Sequence, residues 1–120
     1  MGTSSTVDLE GVTWILRELT LGENVAPEPA ITFRINKDRI VGSAGCNSYS
    51  AAYASDRPGR LKIGTVAATR KACESPVMNQ EAGYLKALEG VTSFGFLAGT
   101  LTLSYRDNGS SHVLVLAPLP

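Results

Sequence analysis

This chain has little of what most protein chemistry needs. In 120 residues histidine and tryptophan each occur once, and cysteine and methionine twice each. Catalysis by imidazole or thiol therefore has very few residues to draw on. Eleven basic residues balance eleven acidic ones, no run of Lys or Arg appears, and the pI lies near 6.6. Nucleic-acid binding depends on clustered positive charge that neutralises phosphate, so no nucleic-acid partner is expected. No apolar run approaches the roughly 20 residues of a membrane-spanning helix, and no transmembrane segment is expected. No cationic start followed by an apolar stretch marks a secretory signal. Disorder needs low hydrophobicity and a large charge excess; at 43% hydrophobic and 18% charged the chain has neither.

What is present fits one domain with one core. Met1-Gly2-Thr3-Ser4-Ser5-Thr6 formally matches an N-myristoylation pattern. The plainer reading is a short polar leader, residues 1–6, ahead of a single domain over 7–120. If the chain has been trimmed, a native signal or lipid anchor is lost with the missing N-terminus.

Periodicity predicts strands almost throughout. Val12 to Leu19 nearly alternates apolar and polar residues, with Trp14 and Leu16 on one face. Gly22 to Pro29, with Pro27 and Pro29, reads as a loop. Ile31, Phe33 and Ile35 share one side of a strand, Asn36-Lys37-Asp38 turns, and Arg39 to Gly42 returns as a hairpin. Tyr49 to Tyr53 and Leu61 to Val66 are extended, separated by Arg57-Pro58-Gly59. Phe94 to Ala98, Leu101 to Tyr105 and Val113 to Ala117 supply the last strands. Gly99-Thr100 makes one turn; Asp107-Asn108-Gly109 is a hairpin signal because Asn and Gly tolerate positive φ.

One helix is predicted over 75–89. Ser75 suits the N-cap, Pro76 the first helical position and Gly90 the stop. Val77, Met78, Leu85 and Leu88 are expected to face inward. The fold class is thus mainly β (α+β): an antiparallel, partly open β-barrel or strongly curved sheet of seven to eight strands carrying one helix.

The most distinctive segment is Gly42-Ser43-Ala44-Gly45-Cys46-Asn47-Ser48-Tyr49, followed at a distance by Thr69-Arg70-Lys71-Ala72-Cys73. Taken with Leu9-x-Gly11-x-x-Trp14-x-Leu16, Phe33, Arg39 to Gly42, Tyr53, the helix residues Glu81, Leu85 and Leu88, and Leu101-x-Leu103, the order of motifs resembles the META domain, or HslJ heat-shock protein, family. The resemblance implies a lipocalin-like or incompletely closed barrel in the bacterial envelope, often as a lipoprotein. Its relatives extend to kinetoplastid parasites, and its names connect it with heat shock, antibiotic tolerance, and secretion or motility. No reaction follows from it. Arg70-Lys71 departs from the family pattern and argues against this segment lining an apolar cavity throughout.

Each motif has a structural reading beside a chemical one. Cys46 and Cys73 either close a disulfide, which chain-entropy arithmetic credits with roughly 3–4 kcal/mol, or pack as two small buried thiols. Redox catalysis favours a C-x-x-C at a helix N-terminus, which this pair is not. Asn47 holds the turn through its amide, while Gly42 and Gly45 allow unusual dihedrals or close strand approach. No Gly-Lys-Ser/Thr follows to make a phosphate loop. Zinc would need Cys46, Cys73, His112 and a carboxylate from four separate places, so no metal site and no cofactor is expected. His112 reads as a surface residue, and Glu81 as a solvated or capping carboxylate.

Trp14, Phe33, Phe94 and Phe96 read as core, whereas Tyr49, Tyr53, Tyr84 and Tyr105 are candidates for a pocket rim, since a phenol tolerates one wet end. The structural motif is therefore Gly42, Gly45, Cys46, Asn47, Tyr49, Thr69 and Cys73, with no catalytic residue named. The expected function is non-enzymatic and works through a protein partner. A carrier of a small apolar ligand in the barrel, and a thiol-dependent enzyme, are the alternatives.

Overall fold

The computed structural model describes residues 9–20, 22–26 and 28–119. The polar leader and Pro27 lie outside them. Ten strands and one helix follow in order: β1 (Trp14–Thr20), β2 (Glu23–Asn24), β3 (Thr32–Asn36), β4 (Arg39–Ser43), β5 (Ser48–Ala54), β6 (Lys62–Ile63), β7 (Ala67–Ala68), α1 (Ser75–Glu89), β8 (Val91–Leu97), β9 (Thr100–Asp107) and β10 (Ser110–Pro118).

Eight of them form one antiparallel path, β6-β5-β4-β3-β1-β10-β9-β8, with β2 on β1 and β7 on β5. The two ends of this path nearly meet. Leu61 N–H donates to the Thr92 carbonyl at 3.1 Å and Phe94 N–H to the Gly59 carbonyl at 3.0 Å. The protein is therefore a nearly closed antiparallel barrel of eight strands with a single helix, stitched along a short seam.

Strand alternation supplies the core. Trp14 and Leu16, Phe33 and Ile35, Tyr49 and Ala51, Leu101 and Leu103, and Leu114 and Leu116 all point inward and are buried. The hairpin of β3 and β4 pairs Asn36 with Arg39. The β9–β10 hairpin pairs Asp107 with Ser110 around Asn108 and Gly109, both at positive φ. The turn between β8 and β9 falls on Ala98 and Gly99, not Gly99-Thr100, because Thr100 already pairs with Leu97.

Several other expectations need correction. The first strand begins at Trp14, and the expected loop from Gly22 contains β2, whose Asn24 pairs with Glu18. Leu61 to Val66 is not one strand. Only Lys62–Ile63 pairs, with Tyr53 and Ala54, before the chain breaks and resumes as β7. Phe96 is not core: it is 37% exposed, because β8 runs past the end of the seam.

The helix begins at Ser75 itself, with Glu74 as N-cap and no side-chain cap bond. Its buried face is Glu81, Tyr84, Ala87 and Leu88, whereas Val77, Met78 and Leu85 are only half-buried. The helix lies over the barrel end where β1, β4 and β9 terminate, and that location sets the face. Gln80 accepts a bond from Ala26 N–H, Gly83 sits beside Leu19, and Lys86 pairs with Asp107 at 3.4 Å. Gly90 ends the helix with a negative φ; a Cβ there would lie 2.5 Å from the Arg106 carbonyl oxygen. Close approach, not left-handed geometry, explains this glycine.

Candidate functional site

Chain reversal after β4 creates the site. Gly45 adopts φ +112, where a side chain is strained, and Ala44 N–H donates to the Asn47 carbonyl at 2.7 Å. This tight turn leaves the N–H groups of Cys46 and Asn47 facing the helix with no strand partner. Glu81 meets both: its Oε1 accepts from Cys46 N at 3.0 Å and from Asn47 N at 2.7 Å. Its Oε2 accepts from Asn47 Nδ2 at 2.6 Å.

Asn47 uses its whole hydrogen-bonding capacity. The second Nδ2 proton goes to the Lys71 carbonyl at 3.1 Å. Oδ1 accepts from Thr69 Oγ1 at 2.8 Å and from Lys71 N at 2.6 Å. Ser48 and Thr69 bond reciprocally alongside, Ser48 N–H to Thr69 Oγ1 at 3.2 Å and Thr69 N–H to the Ser48 carbonyl at 3.0 Å. Segment 69–73 is thereby strapped to the turn, and a disulfide between Cys46 and Cys73, 27 positions apart with Cα atoms at 6.0 Å, fastens its far end.

A second buried polar group lies below. Gly42 faces the Thr32 carbonyl so closely that a Cβ would overlap it. That leaves the Thr32 oxygen available to Tyr49, whose hydroxyl donates to it at 2.7 Å. Tyr84 Oη sits 2.6 Å from Tyr49 Oη but 3.4 Å from the Thr32 oxygen. The proton order that satisfies all three runs Tyr84 to Tyr49 to Thr32. Burial raises the Tyr49 phenol well above its ordinary range, and the bond from Tyr84 offsets only part of this. Tyr84 is raised by burial first, then by the neighbouring Tyr49.

The four tyrosines expected at a pocket rim do not form one. Tyr49 and Tyr84 are core residues. Tyr105 is buried, its hydroxyl donating to the Leu19 carbonyl at 2.8 Å, and burial raises its pKa, followed by the charge of Asp107. Tyr53 is half-buried and bonds to the Lys37 carbonyl. The solvated role expected of Glu81 is also wrong; the side chain is 4% exposed. Its sequence signal was its place with Leu85 and Leu88 in the helix of the family pattern, but no spacing linked it to Asn47. His112 is half-buried, stacked on Tyr105 with ring centroids 5.4 Å apart.

Among the described residues, no group of three or more His, Cys, Asp or Glu stands close enough to hold a metal ion, and no helix is long and apolar enough to cross a membrane. The depressions are open ones. Two of about 470 Å³ each lie over the strap, lined by Val66, Arg70, Lys71, Met78 and Leu85, and between the helix end and β9, where Leu19, Lys86, Glu89 and Asp107 meet.

Fold and site together define a small barrel stoppered by a helix and fastened by an asparagine–carboxylate hub beside a disulfide. The chain belongs to the META domain family, whose model matches residues 7–117. It is similar to a protein from Burkholderia xenovorans solved by NMR, at 25% identity with a TM-score of 0.67 over 95% of this chain and 86% of that one. A second NMR structure matches at 20% identity with a TM-score of 0.71, covering 94% and 93% of the two chains, and shares the fold. No curated protein matches the chain.

Proposed function

We propose that this META-domain protein is a non-enzymatic binding module that engages a protein partner through its outer surface. The observation that carries this reading is the filled interior. Phe33, Ile35, Leu103 and Leu116 occupy the barrel, and Tyr84 enters from the helix to meet Tyr49. The polar side chains of the hub are already engaged: Asn47, Thr69 and Glu81 with one another and the backbone, both cysteines in the disulfide. Recognition then falls to the exterior.

An envelope setting, periplasmic or membrane-anchored, accords with the disulfide, since such bonds persist in oxidising compartments. Stress response, antibiotic tolerance or secretion are the processes such a module would serve. A second reading, carriage of a small apolar ligand, has the depression over the strap to draw on, where Val66, Met78 and Leu85 lie beside the charged Arg70 and Lys71.

Native mass spectrometry of gently purified protein tests the choice. A bare mass, with no uptake of fluorescent fatty acid, is expected. A lipid that co-purifies in stoichiometric amount would replace the module reading with the carrier one.

A further inference from the structure

The short strand β7 leaves part of its backbone bare. Ala67 and Ala68 stand opposite Ser50 and Tyr49 of β5, and Thr69 N–H donates to the Ser48 carbonyl at 3.0 Å. Antiparallel bonding alternates from one residue to the next. With Thr69 bonded toward β5, the N–H and C=O of Ala68 point the other way, as does the N–H of Val66. That direction is toward the helix, for Val66 N–H reaches the Glu89 carboxylate on α1 at 3.0 Å. Ala68 has no such partner among the described residues.

The bare residue opens into the depression over the strap, whose 470 Å³ is in the range of ligand sites. Val66 and Ala68 on one wall, and Met78 and Leu85 on the helix wall, are half-buried and apolar. Arg70 and Lys71 stand exposed at one end, and neither forms an ion pair among the described residues. Asn47 holds Lys71 by its N–H and its carbonyl, so both cations rise from fixed backbone.

Three carboxylates lie near these cations or along the helix. Glu81 lines the cleft, but both its oxygens are taken up by the turn after β4. Glu74, exposed where α1 starts, pairs with neither cation. Glu89 closes the end away from Arg70, where it holds Val66. The cleft therefore has a cationic end, an apolar middle and an acidic end.

We propose that this cleft binds an extended segment of a partner protein carrying one acidic residue followed, two and four positions on, by apolar ones. This rests on the binding-module reading and names the surface and the partner's chemistry. The segment runs antiparallel to β7, donating an N–H to the Ala68 carbonyl and accepting the Ala68 N–H. Its acidic side chain meets Arg70 and Lys71, and its apolar side chains pack on Met78 and Leu85. Charge complementarity selects both the occupant and its direction: a carboxylate is drawn to the cationic end and repelled by Glu89 at the other. A second copy is disfavoured, since it brings its own Arg70 and Lys71, and the helix walls this edge off from another folded sheet.

The probe is the capped peptide acetyl-Glu-Thr-Val-Thr-Leu-amide, titrated into the whole isotope-labelled protein and followed by NMR. Saturable shifts at the amides of Ala68, Lys71, Met78 and Leu85 are expected, with a Kd of about 0.1–1 mM, the level a few main-chain bonds, one ion pair and two apolar contacts support. Methylating the valine nitrogen removes the N–H meant for Ala68 and should weaken binding roughly tenfold, as should lysine in place of the peptide's glutamate. Arg70→Glu should reverse the preference, binding the lysine peptide better than the glutamate one. Arg70 is exposed, so the variant keeps its fold, and a reversal of preference is not something lost structure produces.

Absence of saturation, equal binding by the methylated peptide, or an unchanged preference in Arg70→Glu would overturn the proposal. So would palmitate that shifts the same amides and displaces the peptide, which would make a lipid the occupant. If the native mass remains bare while the peptide fails, only the cleft assignment falls; a co-purifying lipid removes the underlying reading instead.

Discussion

Glu81 grips Asn47 at two points, one carboxylate oxygen on the backbone N–H at 2.7 Å and the other on the side-chain amide at 2.6 Å. The two residues lie on elements that share no strand pairing. Through them the helix, the turn after β4 and the strap at 69–73 become one unit. Removing one partner of a buried hydrogen-bonded set leaves the others desolvated and unmatched, which is the costly case.

Glu81→Gln keeps the shape but sets an amide N–H₂ against donors. We expect a loss of about 1–3 kcal/mol in chemical denaturation, with Glu81→Ala at least as damaging because three donors then lack an acceptor. A stability within error of wild type for both would show that the hub does not hold the fold.

Asn47→Ala removes four side-chain bonds and should loosen segment 69–73 in particular. Amide hydrogen exchange at Thr69 and Lys71 is expected to accelerate more than exchange in β9 or β10. Uniform acceleration would mean that Asn47 stabilises the barrel as a whole and not the strap.

Opening the disulfide, by reduction or by Cys73→Ser, should lower stability by about 3–4 kcal/mol on the chain-entropy model for its loop. The fold itself should persist, since Asn47 still bonds Lys71 and Thr69. Circular dichroism on the reduced protein checks this.

The tyrosine pair predicts an alkaline limit. An unfolded tyrosine ionises near pH 10, whereas Tyr49 and Tyr84 are raised in the folded state. Above about pH 10 the unfolded chain loses protons that the folded chain retains, so stability is intact below that pH and falls as pH rises through it. Tyr84→Phe removes one such group and should make the decline shallower. Urea midpoints between pH 8 and 11 read this directly.

Gly42→Ala drives a Cβ into the Thr32 carbonyl, and Gly90→Ala into that of Arg106. Backbone is the obstacle at both, so relief by side-chain motion is not available. Each should cost about 3 kcal/mol, toward the upper part of the usual overpacking range, measured as a drop in urea midpoint.

The barrel was legible because period-two alternation is local: Phe33 with Ile35, or Leu101 with Leu103, announces its own face. Gly42, Cys46, Asn47, Thr69, Cys73 and Glu81 were legible as a family signature, but the burial of Glu81 against Asn47 was not. A carboxylate's burial depends on which helix face meets the turn, and that is fixed only by the tertiary position of α1. The same blindness placed Tyr49 and Tyr84 on a rim, since a phenol buried against another phenol has the same sequence appearance as one half in water. Phe96 read as core for the converse reason: alternation continues along β8 after the strand opposite has turned away at Gly59.

The first strand of this barrel sits beside its last. Trp14 stands opposite Pro118, and Leu119 N–H donates to the Thr13 carbonyl at 2.8 Å. During synthesis β1 must wait, its β10 side vacant, until the eight strands and the helix that lie between them have been made. So late a handshake favours slow, all-or-none acquisition of structure, and it gives the cell a reason to shield the nascent chain.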